Sequence, residues 1–485
     1  MPSGPPLFDN EDGDDADHES PPRESHGSDD PSPSTSDTRR GPNYLFRRAI
    51  VVGGVVAVLA TASIVVGQLI GSGSDDTTSG AISTDWNRIV LVDDRTGRVI
   101  VDDESGEELA RIESGVRSPS ASAIVDSTLV VTGTKNVAVI AIDNESVEEY
   151  DLAAESIVRP AGSALTLLAP GSNRSRAVIV HGPSGDTIDT DTFAPVVGAR
   201  YEFANARSSA SGRDVLVTDS GNFQSVLFSF DRDEPSFFPG LALAVDADIV
   251  VTAQNVGSDA TINVFDHDGE PVTTGRTSSV RAGMITGAGV VLVTVDGAVV
   301  TMSPSSGETS DVGQLDIGTI ESGTVTTTGD RLIVTGATGT AIVGGDGAAI
   351  ASFDAQRPAG DGSLTGSTCL ATISDGESAE TQIAVADATD GSVLVEASGA
   401  EPLLSDASGC IVAASTPLGY DVMSGAGVQQ IQTGDTALAL SLDGAAVAIE
   451  RDGRVFLETT GLGDSTSDEP IDLGPRGRTV LFTQS

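Results

Sequence analysis

One short phrase recurs along this chain and limits its fold more than any other feature. Leu129-Val130-Val131-Thr132-Gly133 aligns with Ile249-Val250-Val251-Thr252-Ala253, and again with Val291-Leu292-Val293-Thr294 and Leu332-Ile333-Val334-Thr335-Gly336. Looser copies stand at Val215-Leu216-Val217-Thr218, Cys369-Leu370-Ala371-Thr372, Cys410-Ile411-Val412-Ala413-Ala414 and Ala446-Val447-Ala448-Ile449. Most are followed by a second apolar run and a turn. Aspartate before glycine marks many of these turns, as at Asp296-Gly297, Asp346-Gly347, Asp443-Gly444 and Asp452-Gly453. That pair suits the positive φ of tight hairpins. Val, Ile, Thr and Leu dominate the runs, and none holds a helical period, so the region from residue 86 to 485 reads as all-β.

Consecutive copies lie mostly 34 to 42 residues apart. That interval is one four-stranded propeller blade. A blade is a small twisted sheet with two apolar faces, and stacking blades around an axis buries both. The repeats predict a single β-propeller of seven to nine blades, with eight the preferred count and residues 140–240 the least regular stretch. β-Sandwich modules would repeat near every 100 residues, and no such period is present.

Asp93-Asp94-Arg95-Thr96-Gly97-Arg98-Val99 resembles the D-x-x-T-G-x-V outer hairpin of quinoprotein-like (PQQ-like) propeller repeats. Asp387-Ala388-Thr389-Asp390-Gly391-Ser392-Val393-Leu394 is similar with one insertion, and Pro304-Ser305-Ser306-Gly307-Glu308-Thr309 is a weaker version. The resemblance implies the fold alone. The family's blade-closing tryptophans are missing, since Trp86 is the only tryptophan, and this departs from the enzymes that bind a quinone.

Upstream, residues 49–70 are 22 uncharged residues, AIVVGGVVAVLATASIVVGQLI. As a helix rising about 1.5 Å per residue they span a hydrocarbon layer of roughly 30 Å. Arg39, Arg40, Arg47 and Arg48 precede the run, and Asp75 and Asp76 follow it. This asymmetry predicts a single-pass helix with its N-terminus in the cytoplasm and residues 86–485 outside the cell. The competing reading is a cleaved signal peptide, for which the run is long and its 48 preceding residues many. Residues 1–48 are rich in Pro, Ser, Gly and acids, a composition that predicts a disordered cytoplasmic tail. Residues 71–85 read as a flexible polar linker.

Charge narrows the function. Lys plus Arg total 26 against 71 Asp plus Glu, a formal charge of -45 that repels nucleic acid. Lys135 is the only lysine, and the arginine bias fits a GC-rich bacterial genome. Aromatics are 4% of the chain, which leaves few stacking platforms for bases or sugars.

Catalytic signatures are missing: no H-E-x-x-H, no G-x-S-x-G, no phosphate loop with lysine. The outer region has two histidines, His181 and His267, in different repeats. Three acidic groups, Asp186/Asp189/Asp191, Asp231/Asp233/Glu234 and Asp266/Asp268/Glu270, invite a calcium reading, but none matches an EF-hand loop and turn chemistry explains them more simply. The expected catalytic, cofactor and metal residues are therefore none.

Cys369 and Cys410 are 41 residues apart, one repeat, and each opens a copy of the phrase. They should sit at equivalent points of adjacent blades, either bridged near the inner rim or as two buried thiols. The expected function is a membrane-anchored, non-enzymatic surface module binding a protein or cell-envelope ligand. The alternatives are a quinoprotein-like or hydrolytic enzyme, or a single-pass signalling receptor.

Overall fold

The computed structural model describes residues 86–485, apart from 153–155, 159–163, 170–175, 194–197, 321–324, 329–330, 355–356, 359–367, 376–380, 407, 432–433, 461–469, 476 and 484–485. The tail 1–48, the apolar run 49–70 and the linker 71–85 lie outside the described residues. Among the described residues no helix is long and apolar enough to cross a membrane.

Those residues form eight four-stranded antiparallel sheets and a ninth of seven strands. The ninth is two blades that share one continuous strand, Val393–Ser405, which is the outer strand of one and the inner strand of the next. The domain is a β-propeller of ten blades among the described residues. Neighbouring blades touch at every step, including the step from the last back to the first.

Ten corrects the expected seven to nine, and the reason is local. Every copy of the recurring phrase proves to be the second strand of a blade, such as Thr128–Thr132, Ile249–Val256 and Ala446–Arg451. Two second strands do not carry it. Blade 1 uses Arg88–Asp93, and its inner strand comes from the chain's other end, Arg478–Thr483, so no phrase-and-partner unit precedes it. Blade 3 uses Ala164–Ala169, whose leucines and single threonine break the pattern.

The phrase is continuously apolar because both faces of a second strand are buried. In blade 2, Leu129 and Val131 pack toward blade 1, while Val130 packs with Val178 and Val180 of blade 3. In blade 6, Val290 and Leu292 join blade 5, while Val291 and Val293 join blade 7. Each fully buried Val, Leu or Ile contributes about 1.5–3 kcal/mol relative to exposure. A charge at any of these sites would open one seam of the ring.

The ring closes where Arg88 to Asp93 pair antiparallel with Thr483 to Arg478. Trp86 finishes the closure: its ring packs edge-on to Phe482 at 5.0 Å, and its Nε1 donates to Asp443 Oδ1 at 3.0 Å.

Six of the third-to-outer hairpins, in blades 1, 3, 5, 6, 7 and 8, share one device. The head residue's N–H donates across the turn, and its carbonyl accepts from a glycine with positive φ. Asp266 N donates to Glu270 O, and Gly269 N to Asp266 O; Asp387 and Gly391 repeat this. The head aspartate adds its side chain, as Asp266 Oδ1 accepts from the N–H of Asp268 and Glu270 at 3.0 and 2.9 Å. The quinoprotein-like hairpin at Asp387 is indeed third-to-outer. The one at Asp93–Gly97 is not: it joins the second and third strands of blade 1. The C-terminal strand fills the inner position there, so the chain enters its first blade one strand late.

Candidate functional site

The turns fall at two ends of the ring. The entry end holds the inner-to-second and third-to-outer turns, together with Trp86. The far end holds the second-to-third turns and the connections between blades. The two ends are chemically unlike.

At the entry end, side chains bind their own turns. His181, 4% exposed, holds Ser184 Oγ at 2.7 Å through Nδ1 and Ser211 O of blade 4 at 3.0 Å through Nε2. Thr128 of blade 2 donates to Gly182 O at 2.8 Å, so three blades meet at this turn. His267 Nε2 lies 2.9 Å from Asp246 O, and its Nδ1 lies 3.9 Å from Asp214. The two histidines stay in separate blades.

The acidic groups do not converge. Asp189 and Asp191 face Arg176 at 2.6 and 3.2 Å, Asp231 takes Arg213 at 2.6 Å, and Asp268 takes Arg232 at 3.0 Å. Among the described residues no group of three or more His, Cys, Asp or Glu is arranged to hold a metal ion.

Cys369 and Cys410 are joined in a disulfide at this end, with Cα atoms 5.0 Å apart. Their positions are not equivalent. Cys369 is the first residue of its second strand, whereas Cys410 stands in the turn before Val412. That turn is drawn back toward blade 8, because Cys369 N–H donates to Ser408 O at 2.9 Å. Asp406 braces it by accepting from Ile411 N at 3.0 Å and Ser408 Oγ at 2.5 Å. Burial pushes the Asp406 carboxyl up from its ordinary value, and these hydrogen bonds oppose the shift.

The far end presents apolar tips. Phe223 stands on the second-to-third turn of blade 4, 79% exposed, with a φ of 54°. A bulky aromatic in the left-handed region is a backbone outlier that its surroundings must impose. They do so through Asp219, fully buried, whose carboxylate accepts from four donors. These are Arg200 N at 2.7 Å, Gly221 N at 3.1 Å, Asn222 Nδ2 at 2.7 Å and Gln224 Nε2 at 3.2 Å. Gly221 fits because a Cβ there would sit 1.9 Å from Gly198 O.

In the adjacent blade 5, Val256 is 76% exposed at the same end. Asn255 beside it exchanges two hydrogen bonds with the backbone of Val280, at 3.2 and 3.1 Å. Leu418 of blade 9, 62% exposed, is a third such tip. Every other exposed large apolar residue lies on an outer strand, and none lies on an entry-end turn among the described residues.

Sequence reasoning missed these tips, because exposure is not written in composition. The one local signal was Asp219-Ser220-Gly221-Asn222 ahead of Phe223. It also missed Arg207 on the inner strand of blade 4, beside a bulge in the pairing, where burial pulls the guanidinium down to about 10.

No protein-family model matches this chain. No curated protein matches it either. Solved structures do. BamB from Moraxella catarrhalis is 14% identical, covers 66% of this chain and 96% of its own, with a TM-score of 0.37. The dihydro-heme d1 dehydrogenase NirN, in complex with DHE, is 15% identical over 81% of this chain and 75% of its own, with a TM-score of 0.38. A chain of a nidogen/laminin complex is 9% identical over 55% and 93%, with a TM-score of 0.30. These scores carry no inference about activity or partner. The propeller assignment rests on this chain's own sheets and seams.

Proposed function

We propose that this protein is a membrane-anchored, non-enzymatic binding platform, held at the bacterial cell surface by residues 49–70 with its N-terminus inside. The observation that carries the reading is the division between the two ends. The chain enters the ring at Trp86 on one end, and the solvent-facing apolar tips Phe223, Val256 and Leu418 stand on the other. A tether joined at the entry end leaves the far end free to meet a partner. Aromatic side chains are enriched at the cores of protein interfaces, which makes Phe223 the leading anchor among the three. The partner is a protein or envelope ligand that offers apolar pockets. The quinoprotein-like hairpins are turn chemistry shared with that family and mark no cofactor site.

Two experiments test this. Protease added outside intact cells should cut within residues 86–485 and spare residues 1–38; the reverse pattern ends the topology. Crosslinking in intact cells should recover a partner with the native chain. Replacing Phe223, Val256 and Leu418 together with aspartate should abolish recovery without lowering the melting temperature. An unchanged crosslinked set would refute the far end as the binding surface.

A further inference from the structure

Every blade ends in an outer strand whose free edge offers unpaired N–H and C=O groups. Proteins protect such edges with charge, proline or brevity. The outer strands here follow that rule. Glu108–Glu113 has two glutamates and an arginine before its end, Ser146–Tyr150 has two glutamates, and Pro271–Ser278 has a proline and Arg276. Thr309–Gln314, Ala349–Asp354 and Ile471–Pro475 each carry an aspartate. Thr187–Asp189 is three residues long, and Ser236–Pro239 ends in proline. The outer half of Val393–Ser405 holds Glu396.

Blade 9 breaks the rule. Its outer strand, Gly427–Ile431, reads GVQQI, with neither charge nor proline, and its first four residues are exposed. Val428 is 41% exposed. Ser424 pairs with Gly427 across a two-residue turn, which makes them a hydrogen-bonded pair. By alternation, the N–H and C=O of Val428 and Gln430 then point outward, away from the sheet.

A second feature says what would cover this edge. Asp421, on the adjoining third strand, lies directly opposite Gln430. It is 8% exposed and makes no hydrogen bond or ion pair among the described residues. Burial pushes its carboxyl up from the ordinary value. It is an acid without a cation in a chain whose formal charge is -45.

We propose that the outer edge of blade 9 receives an extended basic peptide segment of another protein, which adds as a fifth strand against Gly427–Ile431 and sets a lysine or arginine beside Asp421. Main-chain bonds to Val428 and Gln430 supply the pairing, and the basic residue supplies the choice of partner. A second copy of this chain is disfavoured, because it would bring another large negative charge. This edge would bind through the main chain of Val428 and Gln430 and not through the apolar tips, so the proposal stands or falls separately from the platform reading.

The test uses the full chain and a synthetic heptapeptide of alternating lysine and valine, with an alternating glutamate and valine peptide as control. The lysine peptide should slow amide exchange at Val428 and Gln430, and the glutamate peptide should not. Gln430→Pro removes an outward N–H and leaves the inner ladder intact, so it should abolish binding with little change in melting. Asp421→Asn should weaken binding about tenfold, the scale of one charge-assisted bond. Protection spread over many acidic surfaces, or binding indifferent to Gln430→Pro, would overturn the proposal. Concentration-dependent dimerisation through residues 427–431 without peptide would overturn it in favour of a second copy.

Discussion

The entry end and the far end of the ring are built from different turns, and only the far-end turns carry exposed large apolar side chains among the described residues. At the entry end polar groups turn inward on the backbone: His181 on Ser184 and Ser211, Asp406 on Ile411, Cys369 on Cys410. At the far end a buried carboxylate, Asp219, holds a turn so that Phe223 points out. Both ends bond neighbouring blades, the entry end through the disulfide and the His181 turn, the far end through Asn255 and Val280. The far end alone holds a bulky aromatic, Phe223, at positive φ with its ring exposed.

The contrast can be broken most forcefully at the disulfide. Replacing Cys369 and Cys410 with serine removes a closure spanning 41 residues. It should cost about 3–4 kcal/mol on the chain-entropy account, read as a lower urea midpoint. Far-end recognition should survive, because no far-end contact depends on that turn. A loss of partner crosslinking at full stability would mean the two ends are coupled.

Asp219→Ala comes next. It strands four donors, two of them backbone N–H groups, and should cost about 2–3 kcal/mol. Amide exchange at Arg200 and Gly221 should quicken, while exchange at Ile411 at the entry end stays unchanged. Equal acceleration at both would show that Asp219 supports the whole ring rather than its own turn.

Phe223→Asn has the opposite sign. Asparagine tolerates the left-handed region, so the protein should gain about 0.5–1 kcal/mol while partner recovery falls. A residue that destabilises its fold and is needed for binding separates display from packing. If the variant loses stability, the ring is packed rather than displayed.

The smallest effect concerns pH. The folded state raises the Asp406 carboxyl above 3.8, so folding favours its protonated form. The associated stability is fully present below that ordinary value and is lost as pH rises through the folded one. Melting curves between pH 3.5 and 7, a range of ordinary carboxylate titration, should show a gentler decline with rising pH in Asp406→Asn than in the native chain. An identical pH profile would remove Asp406 from the account.

Much of this architecture is legible in the sequence, for a physical reason. A second strand buried on both faces cannot vary its character, so Leu129–Thr132 and its copies repeat visibly. Outer strands bury one face or none, and their sequences drift; Ser146–Tyr150 and Gly427–Ile431 share nothing that composition detects. The blade count failed at the two places where the second strand is not announced, Arg88–Asp93 and Ala164–Ala169. The cysteines' separation of one repeat hinted at adjacent blades, but their inequivalence depends on the Asp406 turn, which spacing does not encode. The far-end tips were invisible, because a phenylalanine in a sequence looks the same whether it is buried or displayed.

The closing strand also decides how this domain bears load. The segment before Trp86 runs into Arg88–Asp93, an interior strand flanked by Arg478–Thr483 on one side and Arg98–Asp103 on the other. A pull on that segment arrives along the strand and strains two antiparallel ladders in shear, so their hydrogen bonds must give way together. Had the chain begun at an outer strand, the same pull would have peeled bonds one at a time. Under the proposed anchoring, force would enter the ring at a strand paired on both sides, and mechanical unfolding should begin elsewhere than at blade 1.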